Sequence, residues 1–99
     1  MGNLSASIKL ENKMTENNWV AILIYQSEAI LALNGTYITS TYEDNQGEMD
    51  VLEAAAKSLA RFYNVKLQTI LTDGLIGDIE DGECGSVIRR ATEVLDMRY

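Results

Sequence analysis

The feature that most constrains the fold is the apolar run at residues 19–25, the longest in the chain. Successive side chains of a β-strand point to opposite faces, and in this run both faces are apolar. One face would carry Trp19, Ala21, Leu23 and Tyr25, and the other Val20, Ile22 and Ile24. This pattern predicts a central strand that is covered on both sides. The run is far too short to cross a bilayer, which takes ~20 apolar residues.

Alternation of apolar and polar residues predicts further strands on either side of this run. Residues 5–11 alternate in this way and are typical of a half-buried strand. After the central strand, residues 29–33 are apolar and residues 36–42 are rich in β-branched and aromatic side chains. The dipeptide Asn34-Gly35 between them predicts a hairpin, because Asn tolerates and Gly readily adopts the positive φ that its tight turn requires.

A helix is expected next, because apolar residues recur at steps of three and four over residues 49–63. Asp44 or Asn45 is the expected cap at its start. Asn64 is expected to stop the helix in the left-handed conformation.

The last third of the chain predicts a strand, a loop and a second helix. Residues 65–72 alternate as a strand does, and residues 73–85 form a loop rich in glycine and acids. Ser86 is the expected cap of a helix over residues 87–95. The order β-β-β-β-α-β-α predicts an α+β fold, with an antiparallel sheet of four to five strands and two helices packed on one face. We expect residues 1–99 to form a single acidic domain of ordinary size.

Acidic residues are segregated along the chain. Residues 14–56 contain seven acids and no Lys or Arg, and residues 67–88 contain five more acids, again without a base. The net charge of the whole chain is -7. If the two acidic segments lie close together in the fold, they make a negative face that attracts a basic partner. The alternative is a solubility surface with favourable helix-dipole placement.

Composition excludes several kinds of chemistry. Without histidine, the chain cannot form a Ser-His or Cys-His catalytic pair or a histidine metal site. Its negative charge opposes direct binding of DNA or RNA. The single Cys84 makes no internal disulfide and is expected to be an inert free thiol. The N-terminus has no signal-peptide pattern, so we expect a cytoplasmic protein without a membrane partner.

The loop at residues 73–85 invites a metal hypothesis that its spacing does not support. Carboxylates this dense can bind Ca²⁺ or Mg²⁺. In an EF-hand register, however, Gly82 at position six places Gly77 at position one and Ile88 at position twelve, and neither can serve as the required ligand. The glycines also match no phosphate-binding loop. We therefore expect neither a metal nor a cofactor.

These observations favour a non-enzymatic, protein-binding inhibitor whose carboxylates occupy the basic, nucleic-acid-binding site of a partner protein. Small phage anti-defence proteins, anti-CRISPR proteins among them, and antitoxins share this character in size and charge. The expected contact residues lie at the hairpin-to-helix junction, at the start of the first helix and in the glycine-rich loop. They are Glu43, Asp44, Glu48, Asp50, Asp78, Glu80, Asp81 and Glu83.

Other classes of function stay open at this point. A self-associating structural or regulatory module, a homodimer for example, would use a sheet edge or an apolar sheet face. A small-molecule-binding domain would hold its ligand in a pocket between the sheet and the helices. An enzyme comes last, because no pair of acids is singled out for general acid–base catalysis and no catalytic residue is assigned.

Overall fold

Six elements of secondary structure make up the part of the chain that the computed structural model describes, residues 18–95. In chain order they are β1 (Val20–Tyr25), β2 (Glu28–Leu33), β3 (Thr36–Tyr42), α1 (Gln46–Tyr63), β4 (Leu67–Leu71) and α2 (Cys84–Leu95). The strand expected at residues 5–11 lies outside the described residues. The α+β class predicted from the sequence is confirmed.

The four strands form one mixed sheet in the order β3-β2-β1-β4. β1 pairs antiparallel with β2, and β2 pairs antiparallel with β3. β4 pairs parallel with β1, so the expectation of an antiparallel sheet is wrong for this strand. The reason is the connection through α1. The helix carries the chain from the end of β3 back to the end of the sheet at which β1 and β3 begin. A strand that starts there, as β4 does, runs in the same direction as β1.

The two helices cover opposite faces of the sheet, which corrects the expectation that both pack on one face. α1 packs through Leu52, Ala56 and Ala60 against the face of Ile22 and Ile24. α2 packs against the other face, that of Leu23 and Ile30, through its own buried residues Val87, Ile88 and Ala91. Every residue of β1 is buried. Because burial of a large aliphatic side chain contributes about 1.5–3 kcal/mol, a strand that is apolar on both faces is stable only with a layer on each.

Three of the four local turn and cap signals have the structures that the sequence predicts. Asn34 and Gly35 form the hairpin turn with φ angles of 52° and 85°. Asn45 caps α1, its side chain accepting a hydrogen bond from the Glu48 N–H. Asn64 ends the same helix in the left-handed conformation. α2 begins at Cys84, so Ser86 lies inside the helix and the expectation that it caps the helix is wrong.

Candidate functional site

Three strands end at the same edge of the sheet. β3 runs parallel to β1, since both are antiparallel to β2, and β4 is parallel to β1 as well. The pairings Tyr25↔Glu28 and Glu28↔Tyr42 place these residues in one row across the sheet at that edge. The turn at residues 26–27 and the loops at residues 43–45 and 72–83 all leave from this row. We call this end of the molecule, with Glu28 and the first turn of α1, the acidic edge.

The acidic edge collects most of the acids of the described residues. Glu28 begins β2, and Asp73 follows β4. The others lie in the loops and in the first turn of α1: Glu43, Asp44, Glu48, Asp78, Glu80, Asp81 and Glu83. Residues 18–56 and 67–88 contain no Lys or Arg. Arg89 and Arg90, in the first half of α2, lie beside Glu80 and Asp81. The two acidic segments, which are separate in the sequence, therefore share one end of the fold.

All eight of the acids expected to contact a partner are exposed. They fall into two groups on the two sides of the sheet. Glu43, Asp44 and Glu48 lie where β3 leads into α1, and Asp50 lies two residues further along that helix. Asp78, Glu80, Asp81 and Glu83 lie in the loop that leads into α2.

Asp73 joins two of the chain segments that form the acidic edge. Its carboxylate accepts the backbone N–H of Gln26, with N–O distances of 3.2 and 3.3 Å. Gln26 and Ser27 form the turn between β1 and β2 with φ angles of 50° and 68°. This conformation costs a residue other than glycine about 1–2 kcal/mol. The Asp73 carboxylate and the hydrogen bond from the Glu43 N–H to the Ser27 carbonyl (2.8 Å) hold this turn in place.

Glu48 has a structural role in addition to its exposure. Its carboxylate accepts hydrogen bonds from Thr41 Oγ1 at 2.8 Å and from Asn45 Nδ2 at 3.1 Å. Its backbone N–H donates to Asn45 Oδ1 at 3.2 Å. This reciprocal arrangement resembles a capping box, in which a residue of the first turn and the cap residue satisfy each other. Glu48 thus connects β3 to the start of α1, and its charge is held at a defined position.

Asp81 organises the start of α2. Its carboxylate accepts the Glu83 N–H at 2.9 Å and the Ser86 hydroxyl at 2.8 Å. These two hydrogen bonds, together with the positive charge of Arg89, lower the pKa of the Asp81 carboxyl below its usual value. Both bonds favour the ionised form, because only the carboxylate offers two good acceptors. The side chain of Asp81 is therefore negatively charged throughout the neutral range.

Arg90 fastens the loop at residues 72–83 to α2 through a backbone carbonyl. Its Nη1 donates to the Ile76 carbonyl at 3.0 Å. Tyr25 adds a second tether, because its hydroxyl accepts the Ile79 N–H at 2.9 Å. Ile76 itself is buried in the core against α2. The loop that carries four of the expected contact acids is therefore fastened to the body of the fold at several points.

Cys84 lies half-buried at the start of α2, facing the row of strand ends. Its thiol donates to Glu28 Oε2 at 3.5 Å and lies 3.8 Å from Ser40 Oγ. Burial raises the pKa of the Cys84 thiol, and the negative charge of Glu28 raises it further. Reactive cysteines have the opposite environment, which is electropositive and lowers the pKa. The thiol of Cys84 is protonated near neutral pH.

Two acids of the acidic edge, Glu28 and Asp73, were not among the residues expected to contact a partner. Both lie close to a strand end: Glu28 is the first residue of β2, and Asp73 comes two residues after the end of β4. The sequence contains a signal for both positions, because Glu28 begins an apolar segment and Asp73 comes shortly after another one. It becomes informative only when the parallel pairing of β1 and β4 is known, because the pairing brings the two strand ends together.

Within residues 18–95, no set of three or more His, Cys, Asp or Glu side chains is arranged to hold a metal ion. No helix in the same part of the chain is both long enough and apolar enough to span a membrane. Comparison of the chain with protein-family models, with curated proteins and with solved structures finds no match.

Proposed function

We propose that this protein is a non-enzymatic inhibitor that binds a basic, nucleic-acid-handling partner protein through the acidic edge. One observation carries the proposal. Two segments that contain acids and no bases, residues 18–56 and 67–88, contribute their loops to the same edge of the sheet. Carboxylates grouped in this way can take the place of nucleic-acid phosphates in a basic groove.

The acidic edge is also preorganised for binding. Hydrogen bonds from Gln26 to Asp73, from Thr41 to Glu48 and from Ser86 to Asp81 fix the loops to the strands and helices. A surface that is already ordered loses less conformational entropy on association, and this raises affinity for a given set of contacts. The exposed acids between these fixed points, Glu43 and Asp44 among them, are free to meet cations of a partner.

The charge distribution gives the electrostatic field a direction. Three basic residues lie towards the end of the sheet that is opposite the acidic edge. Lys57 and Arg61 are in the second half of α1, and Lys66 precedes β4. A molecule that is negative at one end and less negative at the other is steered by a basic partner into one orientation. Such steering raises the association rate and makes it sensitive to salt.

A protein partner fits the surface better than a small molecule. Two open grooves flank α1, one beside β3 with about 230 Å³ and one beside β4 with about 260 Å³. Both are smaller than the ~300–1,000 Å³ that is usual for small-molecule sites. A cavity of about 250 Å³ between the loop at residues 79–81 and α2 is below that range as well. The rest of the acidic edge is formed by loops that extend from the fold, as protein-binding surfaces often are.

The experiment has two stages. The partner is first captured from the native host and identified by mass spectrometry, and its binding to nucleic acid is measured with and without this protein. Two variants are then compared with the parent: Glu43→Gln with Asp44→Asn, and Asp78→Asn with Glu80→Gln and Glu83→Gln. These variants leave Glu48, Asp73 and Asp81 in place, because those three residues hold the loops.

We expect each variant to bind the partner at least ~tenfold more weakly at low salt, mainly through slower association. The control, Glu53→Gln, removes an acid of α1 that lines the groove beside β4, outside the acidic edge, and should bind within about twofold of the parent. The proposal is wrong if the partner binds nucleic acid equally tightly in the presence and absence of this protein. It is equally wrong if folded variants bind as tightly as the parent over a range of salt.

A further inference from the structure

The outer edge of β3 is open and is regular over a short stretch. β3 is the first strand of the sheet, so one side of its backbone has no neighbouring strand within the described residues. A register shift opposite Leu31 and Ala32 leaves Ile38 as an extra residue between Tyr37 and Thr39. Such a bulge bends a strand and interrupts pairing along it. The part of the edge that can accept another strand is therefore residues 39–42, next to the acidic edge.

A groove runs alongside this stretch, between β3 and α1. Its sides are formed by Thr39 and Thr41 of the strand and by Val51, Leu52 and Ala55 of the helix, with Glu48 at the end nearest the acidic edge. Val51 is 70% exposed, although it is a β-branched aliphatic residue. An apolar floor beside an open strand edge is the arrangement that receives an added strand, with alternate side chains entering the groove.

Uncharged residues continue from the groove along one flank of α1. Ser58 and Phe62 follow Val51 and Ala55 at helical spacing, and Phe62 is 80% exposed. None of these four positions carries a charge. This stripe lies along one flank of α1, beside the core residues Leu52 and Ala56, and Ala55 packs partly against the core. It extends the contact surface beyond the groove itself.

We propose that this groove binds an extended segment of the basic partner, which pairs with the backbone of residues 39–42 and places an apolar side chain over Val51. The inference rests on the proposed function and names the structural element that the partner inserts. Charge complementarity identifies the occupant. Glu48 lines the groove, Glu43 and Asp44 lie in the turn between β3 and α1, and no Lys or Arg occurs within residues 18–56. A segment with basic residues beside apolar ones matches this surface.

The same charges argue against a second copy of the chain as the occupant. Two copies that meet along β3 would each bring Glu43, Asp44 and Glu48 into the contact region, with no Lys or Arg from residues 18–56 to pair with them, in a protein of net charge -7. Like charges held close together oppose association. β4 also has no further strand beside it within residues 18–95. Its edge is less selective, since Glu53 and Lys57 both line the groove beside it and the two signs of charge offset each other.

The test uses synthetic peptides and backbone amide chemical shifts of the labelled protein. The probe is a pool of nine-residue peptides in which Lys or Arg alternates with Val, Ile or Leu. A matched pool carries Glu or Asp at the charged positions, and a third pool repeats the basic sequences with alternate amides N-methylated, which blocks strand pairing. We expect the basic pool to shift residues 39–42 and 48–55. We expect the acidic and N-methylated pools to bind at least ~tenfold more weakly.

Two variants complete the test. Val51→Ser should weaken binding of the basic pool at least ~fivefold, while Val94→Ser, which alters a valine 51% exposed on α2, should leave it unchanged. Shifts confined to the loops of the acidic edge, or binding unaffected by N-methylation, would overturn the inference and leave the proposed function standing. Absence of binding by the basic pool also overturns the inference. The proposed function is tested separately, by the effect of this protein on nucleic-acid binding by the captured partner. Dimerisation that Val51→Ser abolishes would assign the groove to a second copy instead.

Discussion

The backbone N–H of Gln26 donates a hydrogen bond to the carboxylate of Asp73, a residue 47 positions later in the chain. Gln26 follows β1 and Asp73 follows β4, so the bond joins the ends of the two parallel strands. Thr72, next to Asp73, adds two bonds to the Ile24 carbonyl, one from its N–H at 2.9 Å and one from its hydroxyl at 2.7 Å. The loop that carries half of the expected contact acids is thereby anchored where it begins.

Replacement of Asp73 should destabilise the fold. In Asp73→Ala the Gln26 N–H loses its acceptor, and the turn of Gln26 and Ser27 keeps its unfavourable positive φ without that support. We expect the free energy of unfolding to fall by about 1–2 kcal/mol, measured by urea denaturation. Asp78→Ala, a change at an exposed acid of the same loop, is the control and should cost less than about 0.5 kcal/mol. Equal effects of the two variants would show that the bond contributes nothing.

Glu48 should be distinguishable from its neighbour Glu43 by stability. Glu48→Ala removes the acceptor of Thr41 Oγ1 and one half of the reciprocal cap with Asn45. We expect a loss of about 1 kcal/mol in unfolding free energy. Glu43→Ala should be close to neutral, since that side chain is exposed in a turn. Chemical denaturation of both variants gives the comparison, and a neutral Glu48→Ala would contradict the role assigned to the carboxylate.

Asp81 should make part of the stability depend on pH in the acid range. Because the folded-state pKa of Asp81 lies below its usual value of 3.8, the ionised carboxylate stabilises the fold above that value. This contribution is lost as the pH falls from about 4 through the folded-state pKa. The melting temperature of Asp81→Asn should therefore change less between pH 5 and pH 2.5 than that of the parent. A Glu80→Gln control should follow the parent curve, and an Asp81→Asn curve parallel to the parent would refute the assignment.

The thiol of Cys84 should react slowly with a disulfide reagent in the folded protein. Burial and the charge of Glu28 both raise the pKa of the Cys84 thiol, and only the thiolate is nucleophilic. At pH 8 we expect labelling of the folded protein to be at least ~tenfold slower than labelling of the unfolded chain. Glu28→Gln removes the negative charge and should speed the reaction several-fold. If Glu28→Gln has no effect on the rate, burial alone controls the thiol.

Some features follow from the sequence because their causes are local. The Asn34-Gly35 turn and the end of α1 at Asn64 depend on which residues accept positive φ. The position of α1 depends on apolar residues spaced to lie on one side of a helix. The burial of β1 follows from its two apolar faces. That pattern already required a layer on each side of the sheet, and the expectation of helices on one face was inconsistent with it.

Tertiary structure alone decided the direction of β4, the face that each helix covers and the meeting of the two acidic segments. These features depend on which strands become neighbours, and pairing partners such as Ile22 and Thr69 are far apart in the sequence. Neither Gln26 nor Asp73 signals the other, because a backbone N–H is present at almost every residue and acids are common on surfaces. The sequence by itself determined how much acid the chain carries and in which segments. The two acidic segments meet at the acidic edge because β1, β3 and β4 run in the same direction and end there.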